Sequence, residues 1–212
     1  MEKFMIDDEV IANIKSNTPF YKSDCLRDIF SLKEFENLVN LRPFISNIRL
    51  IIPTANQNEY RWNREAWLSD VNTWPSSLLS DVLKNECIYI HDCSKVNRKV
   101  NDVCDFFEKN FNWPTDAHIF YSNNNKKNSL GKHNDKSNNL IVQIEGESSL
   151  KVWSKNDDLV IDDTMKPNDV VFIPKGINHH VIGLTKRLSI SFPMNISSDA
   201  YPPQDRTWIE LV

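Results

Sequence analysis

Hydrophobic and polar positions follow two different periods along this chain, and the change falls near Trp113 and Pro114. Before it, apolar residues recur at helical spacing. Val96, Val100, Val103, Cys104, Phe107 and Phe111 define one face of a helix, with Asn, Arg, Lys and Asp opposite. Ser31-Leu-Lys-Glu34 is a capping-box pattern leading into Phe35, Leu38 and Val39. Trp74-Pro75 offers a further helix start before Leu78, Leu79, Val82 and Leu83. Two β-rich runs, 48–52 and 87–90, interrupt this half and are expected to add strands to a sheet formed by the second half.

After Pro114 the pattern becomes short strands separated by polar turns, at 118–122, 139–144, 150–153, 159–161, 170–173, 179–182 and 188–192. Strands this short and closely spaced predict an antiparallel barrel or sandwich. The fold expected is mainly β with flanking helices, in one compact unit. A helix-rich region, 1–114, contributes edge strands, 115–195 forms the barrel, and the tail 196–212 can pack on the barrel or a partner. A chain of 212 residues suits one sizeable core better than two independent ones.

Composition narrows the function classes. The net charge of −4 lacks the basic surface that nucleic acid or an anionic membrane requires. No stretch reaches membrane-spanning length, and acidic residues interrupt the N-terminus where a signal peptide needs an apolar core, so a cytoplasmic protein is expected. Cys25, Cys87, Cys93 and Cys104 form no CxxC pair, which argues against a zinc knuckle or redox dithiol, and Cys104 reads as a small core hydrophobe. The four glycines, Gly131, Gly146, Gly176 and Gly183, all lie in the strand-rich part.

Candidate chemistry begins at Gly131-Lys-His133-Asn-Asp135. Residues two apart on an extended strand project to one side, so the His133 imidazole and Asp135 carboxylate can converge on one ion. A second segment, Asn168 to His180, carries an apolar strand that ends in Pro174-Lys-Gly176, reverses, and begins the next strand with His179. Two histidines and a carboxylate on one face of an ion leave the opposite positions open, which is the facial triad of non-haem Fe(II) oxygenases and suits zinc less well. His180 is expected to point away from the ion. His91 is placed at a strand end, and Trp62, Trp67 and Trp74 are candidates to line a substrate approach.

These two segments resemble the paired motifs of the cupin superfamily. Here they read His133-x-Asp135-x3-Asn139-x6-Gly146 and Asn168-x5-Pro174-x-Gly176-x2-His179. Aspartate for the second histidine and asparagine for the glutamate make the chain similar to the JmjC-like 2-oxoglutarate oxygenases. That resemblance implies a double-stranded β-helix (jelly-roll) barrel, with His133, Asp135 and His179 as metal ligands and catalytic centre. It implies Fe(II), 2-oxoglutarate as cosubstrate and O2, with hydroxylation of an unactivated C–H bond and release of succinate and CO2. The substrate expected is a peptide, a protein side chain or an amino acid.

The cosubstrate's distal carboxylate needs a cationic or hydroxyl partner. Ser148 stands where JmjC-like relatives carry Lys or Arg, so the anchor expected here is Arg187 with Ser189, ahead of Lys151 and Lys132. Asn139 and Tyr121, or His118, are the further candidates to contact the 2-oxo acid. Two alternatives stand beside this reading: a metal-dependent cupin oxygenase that takes no 2-oxoglutarate, and a non-catalytic metal-binding cupin.

Overall fold

The three-dimensional structure is a computed structural model that describes residues 6–39, 48–53, 60–61, 84, 87–123 and 130–194. The helix expected after Trp74, the tryptophans at 62, 67 and 74, most of the polar loop before His133, and the C-terminal tail lie outside the described residues. The elements in chain order are α1 (Asp8–Ser16), β1 (Phe20–Lys22), α2 (Leu32–Val39), β2 (Ile48–Pro53), β3 (Tyr60–Arg61), β4 (Cys87–Ile90) and α3 (Arg98–Phe111). Then come β5 (His118–Ser122), β6 (Asn138–Glu145), β7 (Ser148–Trp153), β8 (Leu159–Met165), β9 (Val170–Ile173), β10 (His179–Gly183) and β11 (Arg187–Met194).

Each of the three described helices starts on a side chain that satisfies an otherwise unpaired amide. Asp7 accepts from the Glu9 amide at 2.8 Å, and Asn97 accepts from the Val100 amide at 2.7 Å. The capping box closes at Ser31, whose Oγ accepts from the Glu34 amide and donates to the Glu34 carboxylate. α3 buries Val100, Val103, Cys104 and Phe107, the stripe its sequence predicts. The side chain of Asn97 also donates to the Ile29 carbonyl and to Glu34, which fixes α3 against α2.

The strands form two sheets. The larger runs β1-β9-β6-β11-β5-β4-β2-β3 and the smaller β10-β7-β8. From β6 onward the chain moves back and forth between them: β6 in the large sheet, β7 and β8 in the small, β9 in the large, β10 in the small, β11 in the large. This winding is the expected double-stranded β-helix. β4 pairs with β5 and β2 with β4, so the two early β-rich runs extend the barrel sheet as predicted.

α1 and β1 go beyond the sequence expectation. α1 is held by Val10 and Ile14, a repeat too brief to stand out, and β1 is a three-residue strand pairing with β9 along Phe20↔Phe172 and Lys22↔Val170.

Two apolar clusters sit on opposite faces of the large sheet. One joins α1, α2 and α3 to Ile88, Ile90, Ile119, Leu140, Leu188, Ile190 and Phe192. The other, between the sheets, contains Ile141, Leu150, Val152, Met165, Val171, Ile173 and Ile177. β11 is therefore buried on both faces, with Leu188, Ile190 and Phe192 against the helices and Arg187, Ser189 and Ser191 towards the barrel lumen. Among the described residues no helix is long and apolar enough to cross a membrane.

Candidate active site

The segment before β6 and the start of β10 are joined by a short antiparallel bridge, the amide of each histidine donating to the other's carbonyl, at 3.0 Å from His133 and 2.8 Å from His179. Gly176, at φ +78° in the Pro-Lys-Gly turn, donates its amide to the Asp135 carbonyl at 3.0 Å, which draws the aspartate into the same cluster. One ligand atom each from His133, Asp135 and His179 lies within 4.8 Å of the others. His133 Nε2 is 3.8 Å and His179 Nε2 is 3.5 Å from the Asp135 carboxylate.

The ring tautomers suit metal binding. His133 Nδ1 faces the Gly131 carbonyl at 2.9 Å and His179 Nδ1 the Ile177 carbonyl at 3.2 Å, so each Nδ1 carries the proton and each Nε2 turns its lone pair to the centre. Burial, together with the neighbouring His133, pushes the His179 imidazole down to about 4, which leaves it neutral at ordinary pH. Asn139 donates to Asp135 Oδ2 at 2.6 Å and accepts from Ser191 at 3.3 Å. At the cupin glutamate position, then, this chain holds the aspartate in place through an amide. A donor set of two imidazoles with Nε2 turned inward and one oriented carboxylate fits a divalent ion such as Fe(II).

At the far end of the lumen lies Arg187. It stands beside Ser122 in register, and Ser122 beside Cys87, so all three share the lumen face. The Arg187 side chain is 4% exposed, meets the Cys87 thiol, and leaves its Nε without a hydrogen-bond partner. Ser122 Oγ is likewise buried and unsatisfied. Among the described residues no carboxylate pairs with the guanidinium, and burial works against its charge. Space for it comes from Gly183, where a Cβ would lie 3.2 Å from Ser122 Oγ and 3.6 Å from Arg187 Cδ. Ser148 pairs with Gly183 in register and is already bonded to Gln143 at 3.1 Å. Arg187 of β11 and Ser148 of β7 therefore sit at the same end of the lumen, on either side of Gly183.

The remaining candidates separate by strand face. Ser189 shares the lumen face with Arg187 and is 2% exposed. Tyr121 does not: it lies opposite Leu188 in register and stacks on Phe35 at 4.5 Å, within the helix-side cluster. The structure thus corrects its expected place beside the 2-oxo acid, because alternation on β5 gives the lumen to His118, Phe120 and Ser122. Ser122 was missed, although the apolar Ile119 already marks which face of β5 is buried against the helices. Lys151 pairs outward with Asp162, and Lys132 pairs with Asp157 and covers the Trp153 ring. His180 alternates away from the centre beside Lys151 in register. His91 follows β4 and bonds Asp92.

The model of the JmjC domain matches residues 94–201, just over half of the 212-residue chain. The chain belongs to the JmjC domain family. Its JmjC domain therefore contains both cupin-like motifs, both lumen ends and α3. Solved structures agree in fold. YcfD, a ribosomal oxygenase from Escherichia coli, superposes with a TM-score of 0.64 at 15% identity over 92% of this chain and 53% of that one. A second structure of that protein, in complex with cobalt and 2-oxoglutarate, gives 0.61 at 15% identity over 91% and 53%. A third gives 0.64 at 14% identity over 99% and 64%. The chain thus spans between about half and two thirds of the length of those proteins. No curated protein matches it in sequence.

Proposed function

We propose that this chain is an Fe(II)- and 2-oxoglutarate-dependent oxygenase that hydroxylates an unactivated C–H bond of a peptide, a protein side chain or an amino acid. The observation that carries this reading is the pairing of two features across one lumen: a His133, Asp135, His179 donor set at one end and a buried, carboxylate-free Arg187 at the other. They are separated along β10 by the step from His179 to Gly183, roughly 13 Å at strand rise, which an arginine side chain and a five-carbon diacid together fill.

In this reading His133, Asp135 and His179 hold the metal, with Asn139 and Ser191 fixing the carboxylate. Arg187 receives the distal carboxylate of 2-oxoglutarate, assisted by the Ser122 and Ser189 hydroxyls. Ile141, Leu150 and Val171 keep water from the space between. The bound metal and cosubstrate supply oxygen activation, with 2-oxoglutarate and O2 consumed and succinate and CO2 released. The region 1–114 contributes the helical backing and the sheet extension, and 115–195 the catalytic barrel. The structures of YcfD in complex with cobalt and 2-oxoglutarate, and with cobalt and succinic acid, support a metal and a 2-oxo acid as the pair bound in this fold.

Incubation in air with Fe(II), 2-oxoglutarate and a panel of peptides and amino acids should yield succinate, and mass spectrometry should find one panel member carrying an added oxygen. Metal binding with no succinate under any condition would remove the 2-oxoglutarate reading and leave the chain a metal-binding cupin.

A further inference from the structure

The segment that carries His133 and Asp135 has a second face. Lys132 and Asn134 alternate with the two ligands along it and are exposed on the outside of the small sheet, while the ligands turn inward. The backbone gives this segment little support of its own. It joins β10 through an isolated bridge between His133 and His179, and the Asp135 carbonyl meets the Gly176 amide.

Side chains on the outer face add further ties. Asn134 stands across from Asn178 beside the bridge, and its Nδ2 donates to Asn178 Oδ1 at 3.1 Å. Asn178 Nδ2 in turn donates to Asp157 Oδ1 at 3.4 Å, and Lys132 Nζ donates to the same oxygen at 2.5 Å. The Lys132 ammonium also lies 4.3 Å from the centre of the Trp153 ring. One carboxylate oxygen therefore holds the residue before each histidine ligand, Lys132 ahead of His133 and Asn178 ahead of His179.

The turn between β7 and β8 that supplies this oxygen is itself well tied. Asp157 takes φ +67°, and its amide donates to the Ser154 carbonyl at 3.0 Å. The Ser154 amide donates to the Asp158 carbonyl at 2.7 Å, and Ser154 Oγ accepts from the Asn156 and Asp158 amides at 3.1 and 3.2 Å. The Trp153 amide donates to the Asn178 carbonyl at 2.9 Å, which fixes the end of β7 to the approach of β10.

Magnitudes distinguish support of the fold from support of the site. The Lys132 and Asp157 side chains are 38% and 61% exposed, and an ion pair so well hydrated adds little to global stability. A metal site is more demanding, because its donors have to be held within about 0.5 Å of their working positions. A ligand segment that becomes ordered only when the ion arrives lowers the affinity by its ordering entropy.

We propose that Lys132, Asp157 and Asn178 are positioning residues, which hold the His133 and His179 ligands in register from outside the barrel before the ion binds. This rests on the metal-site reading and adds to it residues that touch neither the ion nor the cosubstrate.

Calorimetric titration of the full chain with Co(II), paired with urea unfolding of the same metal-free samples, tests it. Asn178→Ala removes the bonds to both Asn134 and Asp157, and should weaken Co(II) binding about tenfold while the urea midpoint stays at the wild-type value. Lys132→Met keeps the apolar stem over Trp153 and should weaken binding about threefold. Lys132→Arg can still reach Asp157 and should bind Co(II) as the wild type does. Visible absorption of the Co(II)-loaded samples adds a readout that a general loss of stability does not move: wild type and Lys132→Arg should share one band shape, and Asn178→Ala should depart from it. Co(II) affinity within about twofold of wild type in either Asn178→Ala or Lys132→Met overturns the inference. So does an affinity that falls only together with the urea midpoint, or a Lys132→Arg variant as weak as Lys132→Met. Wild-type protein that takes up no Co(II) overturns the metal-site reading, and this inference with it.

Discussion

His179 and His180 are neighbours on β10 yet face opposite ways, one buried against Asp135 and the other alongside Lys151. Replacing His179 by Ala should remove Co(II) binding, while His180→Ala should leave it within about twofold, measured by calorimetric titration. Arg187 separates function from stability in a similar manner. Arg187→Met removes a charge that burial penalises, so the folded protein should be as stable as the wild type or more so, while the KM for 2-oxoglutarate rises by roughly thirtyfold or more. Urea unfolding and succinate kinetics on the same samples check both halves. The clustering of His133, Asp135 and His179 was legible in the sequence because spacing constrains it: two positions on one extended segment, and a turn that delivers His179. Asn168 illustrates how the motif tolerates change. It stands at the glycine position of the second motif and takes φ +75°, a conformation asparagine tolerates better than other side chains. Tyr121 was misread because its sequence position is right by one residue and its face is wrong, and alternation allows no intermediate.

At the scale of elements, strand limits were readable where both ends carry turn residues. β4, β5 and β9 begin and end where their sequences predict, and β6, β7, β8, β10 and β11 each run further than predicted. α1 and β1 were not readable, since nine and three residues offer too few turns of either period to separate from loop. The connections make separable predictions. Gly146, between β6 and β7, has φ +69°, and a Cβ there would fall 1.7 Å from the Lys186 carbonyl oxygen. Gly176 has φ +78° with nothing within 4 Å of its Cβ position. Gly146→Ala should therefore prevent stable folding or cost more than about 3 kcal/mol, against roughly 1 kcal/mol for Gly176→Ala, compared by chemical denaturation. Asp116 joins the residues following β4 to the start of β5 through the Asp92 amide. Its folded-state pKa is held below the unfolded value, so its stabilisation is present above that unfolded value and is lost as pH falls through the folded one. The stability difference between wild type and Asp116→Asn should shrink as pH falls through and below the ordinary carboxylate range.

For the whole molecule, one sheet does two kinds of work. Among the described residues its helix-side face carries the larger apolar cluster, while its lumen face is mixed, with apolar residues between two polar ends. The barrel class could be inferred from the sequence because strands and turns repeat closely; which face of β11 looks inward could not, because both its faces are buried. That orientation brings Arg187 into the lumen opposite the His133, Asp135 and His179 cluster, and the account of function depends on it. The most direct measurement is an anaerobic titration of the protein with Fe(II) followed by 2-oxoglutarate, recorded by visible absorption. The account predicts a weak charge-transfer band as the 2-oxo acid chelates bound iron, absent from His179→Ala and shifted to much higher 2-oxoglutarate concentration in Arg187→Met. Iron binding by the wild type without that band, or a band that appears unchanged in Arg187→Met, would contradict it.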